Sequence, residues 1–156
     1  MRNSLTKTFT IVALTAAAAL AADNTVGTWK LNVEKSKYTG APMPVKSLTL
    51  TREASDGGVK QTTTGEQTGG TEINASYTAK YDGTEVEVTG NSPYDTIAIQ
   101  QEDANTLTEK RKKTDGKYQA TSRIVVSNGG KTMTTTTKGI NAEGKEFISI
   151  FVFDKQ

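Results

Sequence analysis

The residues of this chain that could do chemistry are carboxylates, serines, lysines and tyrosines, because the 156-residue sequence contains no histidine and no cysteine. The lack of histidine excludes a Ser-His-Asp triad and an HExxH zinc site. The lack of cysteine excludes disulfides, thiolate nucleophiles and Cys-based metal sites. Acid–base catalysis would then need a pair of carboxylates at a defined separation. The sequence places no such pair, so it predicts a protein that is not an enzyme.

The acidic residues have simpler structural explanations. Glu85 and Glu87 fall on the polar face of a predicted strand, while Glu72, Glu109 and Glu146 fall near strand ends beside turns. The clusters "SDGG" and "YDGTE" lack the repeated oxygen ligands of a calcium loop and are typical of hairpin turns. We therefore expect no metal and no cofactor.

Residues 1–21 have the pattern of a secretory signal peptide. Arg2 and Lys7 precede the apolar run "FTIVALTAAAAL", and Ala19-Leu20-Ala21 matches a small-x-small cleavage site. A buried first helix is the alternative, but the run has no polar face. Since no Cys follows the cleavage point, a lipid anchor is excluded. We expect an exported protein, periplasmic or extracellular, with a single domain at residues 22–156.

Removing the leader changes the electrostatics of the chain. The sequence has 19 basic and 17 acidic residues, and the two basic residues of the leader leave 17 of each. The mature protein is formally neutral, whereas nucleic-acid binders carry a basic surplus. Nucleic acid is therefore excluded as a partner.

The mature chain alternates apolar and polar residues between Gly-rich turns, which is typical of antiparallel strands joined by hairpins. The predicted class is all-β: an up-and-down barrel of about eight to ten strands. An outer-membrane barrel would need an apolar band facing outward on every strand, and "TMTTTTK" offers almost none. The prediction is therefore a soluble barrel that does not insert into a membrane. The expected strands are 27–34, 46–54, 58–66, 71–81, 84–90, 95–101, 106–113, 117–127, 131–138 and 145–153.

Three hairpins give mutually consistent registers. An Asp82-Gly83 turn pairs Tyr77 with Val88, and Ala79 with Val86, on one apolar face, and it pairs Lys80 with Glu85 on the other. In the next hairpins Leu107 falls opposite Ile124, and Met133 falls opposite Ile124 or Val126. These apolar residues therefore share one face.

That shared face carries polar residues. Period two also points Glu109, Arg111, Ser122, Thr135 and Thr137 inward, as in the lining of a partly solvated cavity. The alternative is a hairpin that projects beyond the barrel rim, with "EKRKK" as a solvated edge. We favour the projecting hairpin, because long hairpins often extend past the barrel.

The last predicted strand, "EFISIFVFD", is apolar on both faces. Phe147, Phe151 and Phe153 lie on one side, and Ile148 and Ile150 lie on the other. We expect a central strand whose outer row is buried by the N-terminal segment or a loop. Docking of a partner chain on that outer row is the alternative.

The motif that opens the first predicted strand resembles that of a known family. Gly27-Thr28-Trp29 resembles the Gly-x-Trp of lipocalin first strands, in which the Trp plugs one end of the barrel. Together with "SYTAKYDG", "DTIAIQQEDANT" and "RIVVSNGGKTMTTTTKG", it is similar to small exported bacterial lipocalin-like proteins without established activity. The resemblance implies a calycin-type barrel, with binding of a small apolar molecule as the usual use of that fold.

We expect a monomeric exported barrel that carries a small hydrophobic or amphipathic ligand. The alternative is a solid-core barrel that acts through its surface as an envelope structural protein or an inhibitor. A few aromatics and one inward cation suit an amphipathic site, and the predicted ligand-binding residues are Trp29, Tyr77, Arg111, Tyr118 and Phe151. The residues expected to line or fill the interior are Trp29, Leu31, Leu48, Leu50, Tyr77, Ala79, Val86, Val88, Ile97, Ile99, Ile124, Val126, Met133 and Phe151.

Overall fold

The computed structural model describes residues 22–40, 42–127 and 129–156, and these residues form β-strands and connecting turns without any helix. The predicted signal peptide lies outside the described residues. The twelve strands in this part of the chain are β1 (Gly27–Leu31), β2 (Lys37–Thr39), β3 (Val45–Ser55), β4 (Gly58–Gln67), β5 (Glu72–Lys80), β6 (Asp82–Glu87), β7 (Thr89–Asn91), β8 (Thr96–Asp103), β9 (Thr106–Lys112), β10 (Gln119–Val126), β11 (Thr132–Ile140) and β12 (Glu146–Lys155).

The strands form one antiparallel up-and-down barrel, as the alternation predicts. The hydrogen-bonded order is β6-β8-β9-β10-β11-β12-β1-β3-β4-β5-β7, and β2 pairs with β12. The two ends of this order, β6 and β7, follow one another along the chain with only Val88 between them. The sheet is therefore nearly closed on itself. Closure removes the free sheet edges that would otherwise promote aggregation.

One additional short strand and one break account for a strand count larger than predicted. The expected strand 27–34 ends at Leu31, because the Asn32 side chain accepts a hydrogen bond from the Lys35 backbone and turns the chain. The short strand β2 follows this turn. The expected strand 84–90 splits at Val88, whose backbone N–H bonds to the Asp95 carbonyl instead of a ladder partner.

The predicted registers are confirmed in the ladders that form. Leu107 pairs with Ile124, and Val126 pairs with Met133. In the β5–β7 ladder Ala75 pairs with Gly90. This is the same register that was predicted to place Tyr77 opposite Val88. No ladder forms between the described residues of β5 and β6, however. Glu85 consequently pairs with Lys112, at 2.9 Å, and not with Lys80 as predicted.

The outer row of β12 is not buried as expected. Ile148 and Ile150 are 41% and 38% exposed. The short strand β2 pairs with this part of β12 side by side. An in-plane neighbour completes the ladder of β12 without covering its outer face, which explains the exposure.

The apolar core fills the inner face of the barrel. Most predicted interior residues are buried, and Leu48, Val86 and Phe151 are partly buried against the same cluster. The buried core cluster comprises Trp29, Leu31, Leu50, Val59, Ala75, Tyr77, Ala79, Val88, Ile97, Ile99, Leu107, Ile124, Val126, Met133 and Phe153.

Candidate functional site

A row of polar side chains crosses four neighbouring strands on the inner face. The ladders place Glu109, Ser122, Thr137 and Ser149 side by side on β9 to β12, and each is at most 5% exposed. The favoured interpretation of a hairpin beyond the rim is therefore wrong. Because β9 and β10 remain paired with β8 and β11 along their length, these residues stay inside the barrel. We call these four residues the β9–β12 row.

A second polar row lies on β3 to β5. Arg52 pairs with Gln61, and Gln61 pairs with Tyr77, so their side chains also adjoin on the inner face. Arg52 Nη1 donates a 2.5 Å hydrogen bond to Gln61 Oε1, and Gln61 Nε2 donates one of 3.1 Å to Thr63. We call Arg52, Gln61 and Tyr77 the β3–β5 row.

The two rows meet in a buried cluster of charges. Arg52 Nη1 lies 3.7 Å from Glu109 Oε1, and both side chains are almost completely buried. The other carboxylate oxygen, Oε2, accepts hydrogen bonds from Nε of Arg111, at 2.9 Å, and from Nη2 of Arg111. Two guanidinium groups thus share one carboxylate, which leaves one positive charge in excess inside the barrel.

The cluster leaves polar atoms unpartnered. In the described part of the chain, four buried side-chain atoms have no hydrogen-bond partner: Nε and Nη2 of Arg52, the Tyr77 hydroxyl and Oε1 of Glu109. All four belong to these two rows. Buried polar groups in native proteins are nearly always hydrogen-bonded, so a concentration of exceptions at one place is a functional signal.

Burial and the cluster charges shift the ionisation of these groups. Burial raises the pKa of Tyr77 well above its ordinary value, and Glu109 raises it further against the opposing effect of Arg52. Burial alone would lower the pKa of Arg52, but Tyr77 and Glu109 outweigh burial and raise it. The Tyr77 hydroxyl therefore stays protonated and Arg52 stays charged at neutral pH.

Aromatic rings gather at the end of the barrel where β9 runs into β10. Tyr118 stacks on Tyr94 at 5.9 Å between ring centroids and contacts Phe147 at 6.0 Å. Tyr38 stacks on Phe147 at 5.6 Å. The guanidinium of Arg111 lies 5.2 Å from the Tyr94 ring centroid, a cation–π distance. We call this end, defined by the four rings, the aromatic end.

The opposite end is covered by residues 22–26, and we call it the N-terminal end. Trp29 is completely buried there, and its indole Nε1 donates a 2.8 Å hydrogen bond to the Thr25 carbonyl. The Lys155 ammonium lies 5.1 Å from the Trp29 ring centroid. The Tyr81 hydroxyl bonds to the Asp23 carboxylate and fixes the covering segment.

The structure brings together three of the five predicted ligand-binding residues. Tyr77 and Arg111 adjoin the Glu109 carboxylate, and Tyr118 lies beside Arg111 at the aromatic end. Trp29 lies at the N-terminal end. Phe151 is partly buried and packs against the main core cluster.

Four residues of the site were not predicted from the sequence: Arg52, Gln61, Tyr94 and Phe147. The signal for Arg52 was present, because period two from the predicted inward residues Leu48 and Leu50 points Arg52 inward as well. Tyr94 lies in a turn, where alternation does not specify direction.

Tyr118 provides a test of this site by pH. Burial raises the pKa of Tyr118 to about 12 against the opposing charge of Arg111. A raised phenol pKa stabilises the folded protein fully below the unfolded value of about 10, and that contribution is lost as pH rises towards 12. We expect roughly 2–3 kcal/mol of stability to be lost over this range through Tyr118, which is 8% exposed. Urea unfolding from pH 9 to 11.5 measures this loss, and it should be smaller in Tyr118→Phe. Equal losses in both proteins would contradict the buried position.

The described residues also show neither a cluster of metal ligands nor a membrane-spanning helix. Among the described residues, no three His, Cys, Asp or Glu side chains converge as metal ligands would. Within the same part of the chain, there is no helix long and apolar enough to cross a membrane.

The comparisons with known proteins agree on the architecture. No protein-family model and no curated protein sequence matches the chain. Solved structures do match. A Schistosoma mansoni fatty acid binding protein in complex with arachidonic acid is 20% identical with a TM-score of 0.60, over 85% of this chain and 96% of that one.

Two other structures superpose less closely. Zebrafish ileal bile acid-binding protein, complexed with cholic acid, is 11% identical with a TM-score of 0.51, over 86% of this chain and 100% of that one. The S-type phycobiliprotein lyase CPES from Guillardia theta is 10% identical with a TM-score of 0.52, over 85% and 89%. The chain has a calycin-type barrel fold. At these identities the likeness is evidence for the fold alone.

Proposed function

We propose that this protein is an exported carrier that binds a small hydrophobic or amphipathic molecule inside its barrel. The observation that carries the proposal is the polar cluster of Arg52, Glu109 and Arg111 within an otherwise apolar interior. A barrel that served only as a packed scaffold would gain little from buried charged groups with unpartnered polar atoms, which are costly. Ligand sites characteristically combine an apolar lining with a few converging polar groups.

The aromatic end is the proposed mouth of the site. Tyr94, Tyr118 and Phe147 offer flat apolar faces to a hydrophobic group, and the Arg111 guanidinium lies against the Tyr94 ring. The N-terminal end is covered by its own backbone segment. We therefore place Tyr77, Arg111 and Tyr118 beside the ligand. The other two proposed ligand-binding residues are Phe151, which packs against the core, and Trp29, which lies at the N-terminal end.

The structural neighbours support the same proposal. Two of them were solved with arachidonic acid and with cholic acid, which are both amphipathic acids. We also propose that the protein is exported, which the predicted signal peptide supports, and that it is not an enzyme, since the sequence has no histidine, no cysteine and no suitable carboxylate pair. A monomer without a cofactor remains part of the proposal.

One observation favours the second candidate, a solid-core barrel that acts through its surface. Ile148 and Ile150 are exposed on β12, and a surface depression of about 570 Å³ is lined in part by Ile148 and by the exposed Ile140. Exposed apolar surface of this kind can dock another protein. The binding experiment that follows separates the two candidates.

Titration with cis-parinaric acid, or with the matched parinaryl alcohol, tests the carrier. We expect saturable quenching of Trp29 emission as the polyene occupies the interior. Tyr118→Ala should weaken binding roughly 5- to 10-fold, since one aromatic contact contributes about 1 kcal/mol. Thr121→Ala, three residues further along on the outer face of β10, is the matched control and should bind like the wild type.

A different pair of results would contradict the carrier function. If neither polyene gives a saturable signal with residues 22–156, and the protein recovered from an envelope extract carries a protein and no lipid, the solid-core candidate replaces the carrier.

A further inference from the structure

We propose that Arg52 and Tyr77 form a carboxylate-binding site inside the barrel, so that the ligand is an amphipathic acid. This inference rests on the proposed function and names the chemical class of its ligand.

The first support is the geometry of the two guanidinium groups. Arg111 donates to Glu109 through Nε and Nη2, which together form one edge of the planar group. The same edge of Arg52, also Nε and Nη2, makes no hydrogen bond to any described residue, and the nearby Tyr81 hydroxyl contributes only to the raised pKa of Arg52. That edge presents two parallel N–H donors, which match the two oxygens of a carboxylate. Arg52 is thus held with its bidentate edge unpaired.

The orientation of Arg52 is fixed by its other nitrogen. Nη1 donates to Gln61 Oε1 at 2.5 Å and lies 3.7 Å from Glu109 Oε1. Gln61 is itself held by its hydrogen bond to Thr63. Because Nη1 is engaged on the opposite side, the unpaired edge is preorganised, and little side-chain entropy would be lost when an anion binds.

The charge balance points to an anion. Arg52 and Arg111 carry two positive charges against the single carboxylate of Glu109, and Glu109 is already bonded to Arg111. A ligand carboxylate at Arg52 would neutralise the remaining positive charge in a site screened from water. A neutral alcohol or hydrocarbon would leave that charge uncompensated.

Tyr77 supplies a further donor. It adjoins Gln61 in the β3–β5 row, it is buried, and its hydroxyl has no partner among the described residues. A phenol that stays protonated can donate to a carboxylate oxygen held by Arg52. The two residues therefore offer three donors to one planar anion.

The test compares cis-parinaric acid with parinaryl alcohol at pH 8, where the acid is ionised and the two share one hydrocarbon tail. The wild type should bind the acid about 10- to 100-fold more tightly than the alcohol, as expected for hydrogen bonds to a charged group. Arg52→Met should bind both about equally. Arg52→Lys, which keeps the charge but lacks the two-donor edge, should show an intermediate preference.

Two further variants complete the design. Tyr77→Phe should weaken acid binding about 5-fold and leave alcohol binding unchanged, which corresponds to the loss of one hydrogen bond. Arg123→Met removes an exposed arginine on the outer face of β10 and should retain the full preference. Circular dichroism confirms that each variant is folded.

The outcomes are distinguishable. Equal binding of acid and alcohol by the wild type, or a preference that survives in Arg52→Met, overturns the carboxylate site and leaves the carrier function in place. Failure of both probes to bind the wild type overturns the carrier function and the site with it.

Discussion

Replacing Glu109 with alanine is expected to lower the free energy of unfolding by about 3–5 kcal/mol. Glu109 is the only carboxylate shared by Arg52 and Arg111 among the described residues, and its side chain is almost completely buried. Its removal would leave two guanidinium groups facing each other inside the barrel without a counter-ion. Breaking a buried pair in this way costs far more than the pair itself contributes, because the remaining charge cannot be hydrated.

Urea unfolding followed by circular dichroism measures this effect, and two controls isolate its cause. Glu85→Ala removes a carboxylate of the same type from a half-exposed ion pair with Lys112 and should cost at most about 1 kcal/mol. Ser122→Ala lies in the same β9–β12 row and loses one buried hydrogen bond, to Thr137, worth about 1 kcal/mol. If Glu109→Ala were no more destabilising than Glu85→Ala, the charged cluster would not exist in solution.

Replacing Trp29 with alanine is the second large effect, again about 3–5 kcal/mol. The indole fills the N-terminal end, where it is completely buried, bonds to the Thr25 carbonyl and packs beneath the Lys155 ammonium. Truncation to alanine would open a cavity beneath residues 22–26 and remove the partner of that carbonyl. We expect the covering segment to loosen together with the global loss of stability.

The matched variants separate volume from hydrogen bonding. Trp29→Phe keeps an aromatic ring but loses the bond to Thr25, and it should cost roughly 1–3 kcal/mol. Val33→Ala removes an exposed apolar side chain and should remain within about 0.5 kcal/mol of the wild type. A cost for Trp29→Ala below 1 kcal/mol would show that the indole does not plug the barrel.

The positions of Trp29 and Glu109 in the barrel were predictable from the sequence to different degrees. Trp29 was identifiable from the Gly-x-Trp motif, and the structure places it at a plugged end of the barrel, as that motif implies. Alternation pointed Glu109 and Arg111 inward. The prediction that their hairpin projects beyond the barrel rim was nevertheless wrong. The alternation within a strand does not reveal how far the neighbouring strands extend.

Hairpin registers were readable from local sequence. The pairs of Leu107 with Ile124 and of Val126 with Met133 follow from short turns and a period of two, which act within a few residues. The same local reasoning failed beyond the Asp82-Gly83 turn. There β6 leaves its hairpin partner and pairs with β8, a choice set by closure of the whole sheet.

The sequence by itself determined the all-β class, the registers of the hairpins between β9 and β11, the inward face of most strands and the exclusion of histidine and cysteine chemistry. These follow from composition and from the two-residue period, which are properties of short segments. Only the tertiary structure decided that Arg52 on β3 meets Glu109 on β9, and that Tyr94, Tyr118 and Phe147 gather at one end. Contacts across a barrel depend on strand tilt and stagger after closure, and no local pattern encodes those quantities.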